Sequence, residues 1–168
     1  MEVIDIALKH FEPSQIGIKL SPTSRIQDMF DENPVETYGH LLKELSKRGI
    51  GFVELAESKN EHSYGGRVYH IPPTDQIQDV CRTFRPYFDG LIIGNYGFDP
   101  ESGLKAIREG DCDLISFGKL YIAHPDLTER IINGWELDNK LDFTTLYTDK
   151  QKGKPVGYID YPFYKAKI

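Results

Sequence analysis

The period of the apolar positions changes several times along the chain, and each change marks an element. Val3, Ile4, Ala7, Leu8 and Phe11 recur at helical spacing, predicting an amphipathic helix over Glu2 to His10 that Glu12-Pro13-Ser14 stops. Ile16-Gly17-Ile18-Lys19-Leu20 is a short apolar run with β-branched residues, closed by Ser21-Pro22, and it reads as a buried strand. Thr23 to Asn33 is polar and loop-like. Asn33 can cap the next helix and Pro34 suits its first turn. Leu41, Leu42 and Leu45 supply the inner stripe up to Lys47-Arg48-Gly49.

The same unit recurs. Gly51-Phe52-Val53-Glu54-Leu55 is a second strand, followed by a long polar loop through Ser58-Lys59-Asn60 and Gly65-Gly66. A helix is predicted over Thr74 to Phe84, with Ile77, Val80 and Cys81 or Phe84 facing inward. Gly90 to Gly94 is a third strand. Asp99-Pro100-Glu101 opens a helix carrying Leu104, Ala106 and Ile107, and Gly110 ends it. Leu114 to Phe117 is the fourth strand, Asp126 to Asn133 a helix, and the tail from Trp135 is irregular. One helix followed by four βα units, with strands apolar on both faces, predicts an α/β fold with a parallel sheet covered on both sides. A doubly wound open sheet and a stretch of barrel both satisfy this. No GxGxxG turn follows a strand, and Gly94-Asn95-Tyr96-Gly97 is too short, so the pattern leans to the barrel.

Composition narrows the classes. A chain of 168 residues suffices for one domain, and the net charge of −6 comes with scattered basic residues, which leaves no footprint for nucleic acid or an anionic membrane. No apolar run reaches the roughly 20 residues of a membrane span. The first residues are acidic and amphipathic, unlike a signal peptide. Cys81 and Cys112 lie far apart in the chain and form no CxxC pair, so they read as reduced thiols of a cytoplasmic protein.

In parallel α/β folds ligands bind at the C-terminal ends of strands, which singles out Lys19, Glu54, Gly94-Asn95 and Gly118-Lys119. Two of these turns place a glycine just after an apolar strand with a polar or basic neighbour. Such a turn lets backbone N–H groups approach a phosphate while the lysine adds charge, although either glycine alone serves equally well for a tight turn. Lys19 is a cation in an apolar strand and calls for a partner or a ligand. An ion pair with Glu54 on the next strand is the plain structural account of both. The five histidines have no metal-ligand spacing, and there is no GxSxG elbow or acid–base dyad, so no catalytic residue and no metal site is assigned.

Several phrases together resemble the Old Yellow Enzyme family, which includes 12-oxophytodienoate and N-ethylmaleimide reductases. Ile16-Gly17-Ile18-Lys19-Leu20-Ser21-Pro22 is similar to the family's VGIRLSP strand. Gly94-Asn95-Tyr96 resembles its GN(Y/F) turn, and Phe117 to Leu127 its GRxFxxNPDL signature. Gly134 to Asp138, Thr145-Leu146-Tyr147 and Gly157 to Pro162 match its G-x-x-LN, TFY and GYxDYP phrases, in family order.

The resemblance implies half of a (β/α)8 TIM barrel, strands five to eight with their flanking helices. Residues 1–168 would then form a single C-terminal half-barrel domain carrying the FMN-phosphate end. The family's complete barrel is an FMN-binding, NAD(P)H-dependent oxidoreductase that reduces enones. Lys19 falls where the family has an arginine beside the flavin, Gly94 and Asn95 in the phosphate turn after the seventh strand, and Gly118 and Lys119 at the phosphate Gly-Arg after the eighth. Tyr147 falls on the nicotinamide and substrate side. Both family arginines are lysines here, so charge is kept and the bidentate fork is lost.

The family's catalytic residues come from its fourth-strand region, and this chain is expected to begin after it. The expected partners are therefore a small enone-type substrate and a complementary half-barrel chain or a second copy. The alternatives are a non-catalytic half-barrel that binds phosphate or FMN, and a truncated gene product.

Overall fold

The computed structural model describes residues 1–24, 31–57, 61–64, 67–70, 77–95, 97–138, 141–146 and 156–164. Its centre is a four-stranded parallel sheet made of β1 (Gly17–Leu20), β2 (Phe52–Ala56), β5 (Leu91–Asn95) and β6 (Leu114–Ser116). Each strand pairs with the next of these in the chain. Lys19 lies opposite Glu54, Glu54 opposite Ile93, and Asn95 opposite Ser116. A doubly wound sheet reverses its strand order at a switch point, whereas a barrel adds each strand beside the last. The unreversed order here is the barrel pattern.

The helices around this sheet obey their sequence signals. α1 (Glu2–Ala7) is shorter than predicted, with turns over residues 8–10, and its Asp5 is held by Arg48 (Nε to Oδ1, 2.7 Å). That guanidinium, with its own hydrogen bonds, holds the Asp5 carboxyl below the usual carboxylate range. α2 (Pro34–Lys47) starts at Asn33 with Pro34 in its first turn, although the Asn33 side chain makes no capping hydrogen bond. Gly49 succeeds α2 at φ +68°, a left-handed conformation open to glycine.

The helix predicted over Thr74 to Phe84 is confined, among the described residues, to α3 (Val80–Phe84). Asp79 takes a left-handed backbone (φ 56°), which breaks helical hydrogen bonding immediately before Val80; residues 74–76 lie outside the described residues. α4 (Pro100–Arg108) has the predicted start. The Asp99 carboxylate accepts from Ser102 N–H at 2.8 Å, and the Ser102 hydroxyl oxygen accepts from the Asp99 backbone N–H at 3.0 Å.

A second difference concerns the expected long loop. Glu61–Tyr64 and Arg67–His70 form an antiparallel pair, β3 and β4, with Glu61 opposite His70. Their sequences lack an apolar alternation, so no period-two signal marks them.

The core lies on one face of the four-stranded sheet. Leu42 and Leu45 of α2, Val80 and Phe84 of α3, and Val53, Leu55 and Ile92 of the strands are fully buried in one cluster. The strands alternate accordingly: Val53, Leu55, Ile92 and Gly94 are buried, and the residues between them are not. The expectation of a sheet covered on both sides is thus met, among the described residues, on one face. Leu91 and Leu114, on the other face, are 51% and 50% exposed.

The chain divides into two compact units, 1–116 and 117–168. In the second unit Gly118 precedes α5 (Lys119–Ala123), and Asp126 precedes α6 (Leu127–Asn133), which Gly134 ends at φ +65°. Buried Arg130 ties the later residues of this unit back to α6. It bonds Asp126 (Nε to Oδ1, 2.7 Å) and the carbonyl of Glu136 (3.0 Å), while Asp126 accepts from Tyr164 N–H at 2.7 Å. Trp135 stacks on Tyr164 with ring centroids 4.4 Å apart. No helix among the described residues is long and apolar enough to cross a membrane.

Candidate functional site

On the open face of the sheet, each strand contributes one polar side chain near its C-terminal end. These are Lys19 from β1, Glu54 from β2, Asn95 from β5 and Ser116 from β6. Period-two alternation puts them on one side: the register matches Lys19 with Glu54 and Asn95 with Ser116, and Ile93, opposite Glu54, lies two residues before Asn95.

Their hydrogen bonds close a ring. Lys19 Nζ donates to Glu54 Oε1 at 3.0 Å and to Asn95 Oδ1 at 3.0 Å. Asn95 Nδ2 donates to Ser116 Oγ at 2.7 Å and to the Ser116 carbonyl at 3.2 Å. Ser116 Oγ donates to Glu54 Oε1 at 2.8 Å.

The charges of Lys19 and Glu54 cancel, so the ring is close to neutral. Lys19 is 53% exposed and Glu54 24%, so the ammonium stands at the water side of the cluster. An ammonium has three protons, and two are engaged here; the third is directed by the first two and is available to an acceptor on the open face. Deeper along the same face the lining turns apolar. Phe52, Leu91, Ile93 and Leu114 alternate with the buried set, and the Phe52 ring lies directly over Gly17, where a side chain would collide with it. A polar rim over an apolar floor suits a flat, amphipathic ligand.

The structure separates the predicted residues. Lys19 and Asn95 are brought together, with Glu54 as the ion-pair partner expected of it. Gly94 is buried, and a Cβ there would meet Phe98, Ile115 and Cys81 at 2.9–3.3 Å, so packing alone requires its small size. Gly118 and Lys119 belong to the second unit. A Cβ at Gly118 would meet nothing within 4 Å, which leaves its backbone approachable, and the exposed Lys119 ammonium lies 5.1 Å from the Phe143 ring centroid. Tyr147 lies outside the described residues.

Ser116 was missed. Its signal was available: it is a small polar residue at the end of an apolar strand, in the position that Lys19, Glu54 and Asn95 occupy in theirs.

No family model matches the chain. It is 34% identical over 167 residues to 12-oxophytodienoate reductase 1 of Oryza sativa subsp. japonica, covering 97% of this chain and 40% of the relative. Among solved structures, morphinone reductase in complex with tetrahydroNAD superposes with a TM-score of 0.78 at 28% identity, over 98% of this chain and 40% of that one. The old yellow enzyme from Trypanosoma cruzi superposes with a TM-score of 0.71 at 31% identity, over 89% and 35%. The chain spans about two-fifths of the length of these relatives. The chain is thus similar to a part of Old Yellow Enzyme family members, its parallel sheet matching part of their TIM barrel.

Proposed function

We propose that this chain is the C-terminal half of an FMN-dependent, NAD(P)H-using ene-reductase barrel, with β1, β2, β5 and β6 as its fifth to eighth strands. The observation that carries the reading is the ring of polar side chains, one from the C-terminal end of each strand, above an apolar floor. That is the end of a barrel at which ligands are bound.

On this reading Lys19 offers its remaining proton to an acceptor on the polar edge of the flavin, while Glu54 and Asn95 fix the ammonium. Gly94 and Asn95 are strand residues of β5 and contribute through the Asn95 side chain in the ring, while phosphate binding through backbone N–H groups and charge is proposed for Gly118 and Lys119 of the second unit. Tyr147, outside the described residues, is assigned to the substrate side by the resemblance alone. FMN, when bound, supplies hydride transfer between the nicotinamide and an enone; the protein supplies binding and orientation. The fit is partial in an informative way. The family's arginine, as the resemblance has it, is here a lysine whose charge is already compensated by a carboxylate. The expected flavin contact is therefore a single hydrogen bond where an arginine makes two.

The open face with half-exposed Leu91 and Leu114 supports a complementary half-barrel, on another chain or a second copy, as the missing wall. The test is to titrate FMN into the chain alone and into the chain mixed with an N-terminal half of a related reductase, reading flavin fluorescence and sedimentation. The proposal expects a yellow one-to-one complex that oxidises NADPH with an enone. Failure of the mixture to bind FMN at all would overturn it. FMN binding without turnover in the mixture would favour the non-catalytic alternative.

A further inference from the structure

Cys81 and Cys112 are far apart in the chain and neighbours in the fold. Both are 3% exposed, members of the core cluster under the covered face of the sheet. Cys81 is in the first turn of α3, and Cys112 stands two residues before β6. The neighbouring Cys112 thiol and burial push the Cys81 thiol up, while Cys81 holds the Cys112 thiol down against the opposing effect of burial.

Flanking ion pairs lock the two segments together. Arg82 grips Asp111 through Nε at 2.9 Å and Nη2 at 2.8 Å, and Arg85 Nη1 meets Asp113 Oδ2 at 2.8 Å. The residues on either side of Cys112 are thus tied to α3 and the turn after it. Cys81 Sγ also packs on β5 itself: a Cβ at Gly94 would lie 3.3 Å from it.

We propose that Cys81 and Cys112 form a redox-modification site, a buried dithiol that a hydroperoxide converts to an intramolecular disulfide joining α3 to the segment entering β6, beside Gly94 of β5. The chemistry balances. The Cys112 thiolate attacks one peroxide oxygen, the O–O bond breaks, and the departing hydroxide takes a proton to become water, leaving a sulfenic acid. The Cys81 sulfur then attacks that sulfur, an S–S bond forms, the S–O bond breaks, and the hydroxide leaves with the Cys81 proton as a second water. Two thiols lose two electrons and one hydrogen peroxide is reduced. Burial selects a small oxidant, since a bulky disulfide reagent cannot reach either sulfur in the folded chain. The site stands independently of flavin binding, because it uses only residues of the first unit's core.

The test is a hydrogen peroxide titration of the folded chain, followed by unfolding, alkylation of free thiols and intact mass. Two alkyl groups before treatment and none after are expected, with a mass lower than the unalkylated protein by two hydrogens, a Cys81–Cys112 peptide on digestion, and full reversal by dithiothreitol. In Cys112→Ser, Cys81 is expected to stay alkylatable at the same peroxide dose. Two alkyl groups after treatment would overturn the proposal, as would sulfinic or sulfonic acid in place of the disulfide, a disulfide between chains, or equal oxidation of Cys81 in the variant.

Discussion

On one face of the four-stranded sheet Val53, Leu55 and Ile92 are fully buried beneath α2 and α3, joined by Leu42, Leu45, Val80 and Phe84. On the other, Leu91 and Leu114 are half exposed and the polar ring of Lys19, Glu54, Asn95 and Ser116 faces outward. The strands carrying both faces are the same, so composition does not separate them. What separates them is whether the described residues supply a cover. The covered face stabilises the fold; the open face offers contact area to the ligand and second wall proposed for it. Substitutions on the two faces should therefore differ in kind: loss of stability on one, loss of binding with little loss of stability on the other.

The largest expected effect is on the covered face. Phe84 is fully buried and meets Tyr38 edge-on, with ring centroids 6.2 Å apart. Phe84→Ala removes the ring from the centre of the cluster and should cost about 3–5 kcal/mol of unfolding free energy. Urea denaturation followed by circular dichroism measures it. A loss under about 1 kcal/mol would mean that the core collapses around the gap, and the contrast between the faces would weaken.

A covered titratable group sharpens the contrast by pH. In the second unit His124 is 1% exposed, with neither ring nitrogen in a hydrogen bond of good geometry among the described residues. Its Nδ1 lies 3.9 Å from Asp138 Oδ1. Burial, aided by the Arg130 charge, lowers its proton affinity below the ordinary histidine value near 6.5, against weaker opposing pulls from Asp138 and Asp126. The folded chain thus keeps His124 neutral while the unfolded chain takes up a proton as pH falls past that value. Stability from this group is complete above the unfolded value and declines below it. His124→Asn, which restores the residue of the resembling signature, should flatten the thermal midpoint between neutral and mildly acid pH. An unchanged slope would place the acid sensitivity elsewhere.

Much of the covered face was legible in the sequence because its signals are local. Asp99, Pro100 and Gly110 bounded α4 by capping and turn chemistry, and Leu42 and Leu45 marked the inner stripe of α2. The helix ending at Phe84 was overextended, because the left-handed turn at Asp79 lies in a residue type that helices also tolerate. The β3–β4 hairpin was invisible, since hydrogen bonds between polar strands leave no apolar period. The site was half legible. Strand ends pointed to Lys19, Glu54 and Asn95, but the closure of the ring through Ser116 depends on the register between β5 and β6, which only the folded sheet fixes. The Cys81–Cys112 pairing stayed hidden for the same reason, since α3 and the approach to β6 meet only in three dimensions.

The smallest stability effects belong to the open face, where the binding effects should be largest. Leu114→Ser removes a half-exposed apolar group and should change the stability of the chain alone by no more than about 0.5 kcal/mol, while weakening assembly with a complementary half. Lys19→Met breaks an ion pair whose cation is 53% exposed, and solvent screening keeps the loss within about 0–1 kcal/mol. On the proposed function it also removes a charge from the flavin site, so FMN affinity in the assembled barrel should fall roughly tenfold, as for one hydrogen bond to a charged group. Glu54→Gln separates the two roles of the ring. It keeps a partner of the same shape for Lys19 and Ser116 while removing the compensating negative charge, so it should leave stability almost unchanged and tighten FMN binding. Equal losses of FMN affinity in Lys19→Met and Glu54→Gln would show that the ring holds the strand ends in place and offers no charge to a ligand. Opposite changes in the two variants would show that Glu54 restrains the cation that Lys19 presents.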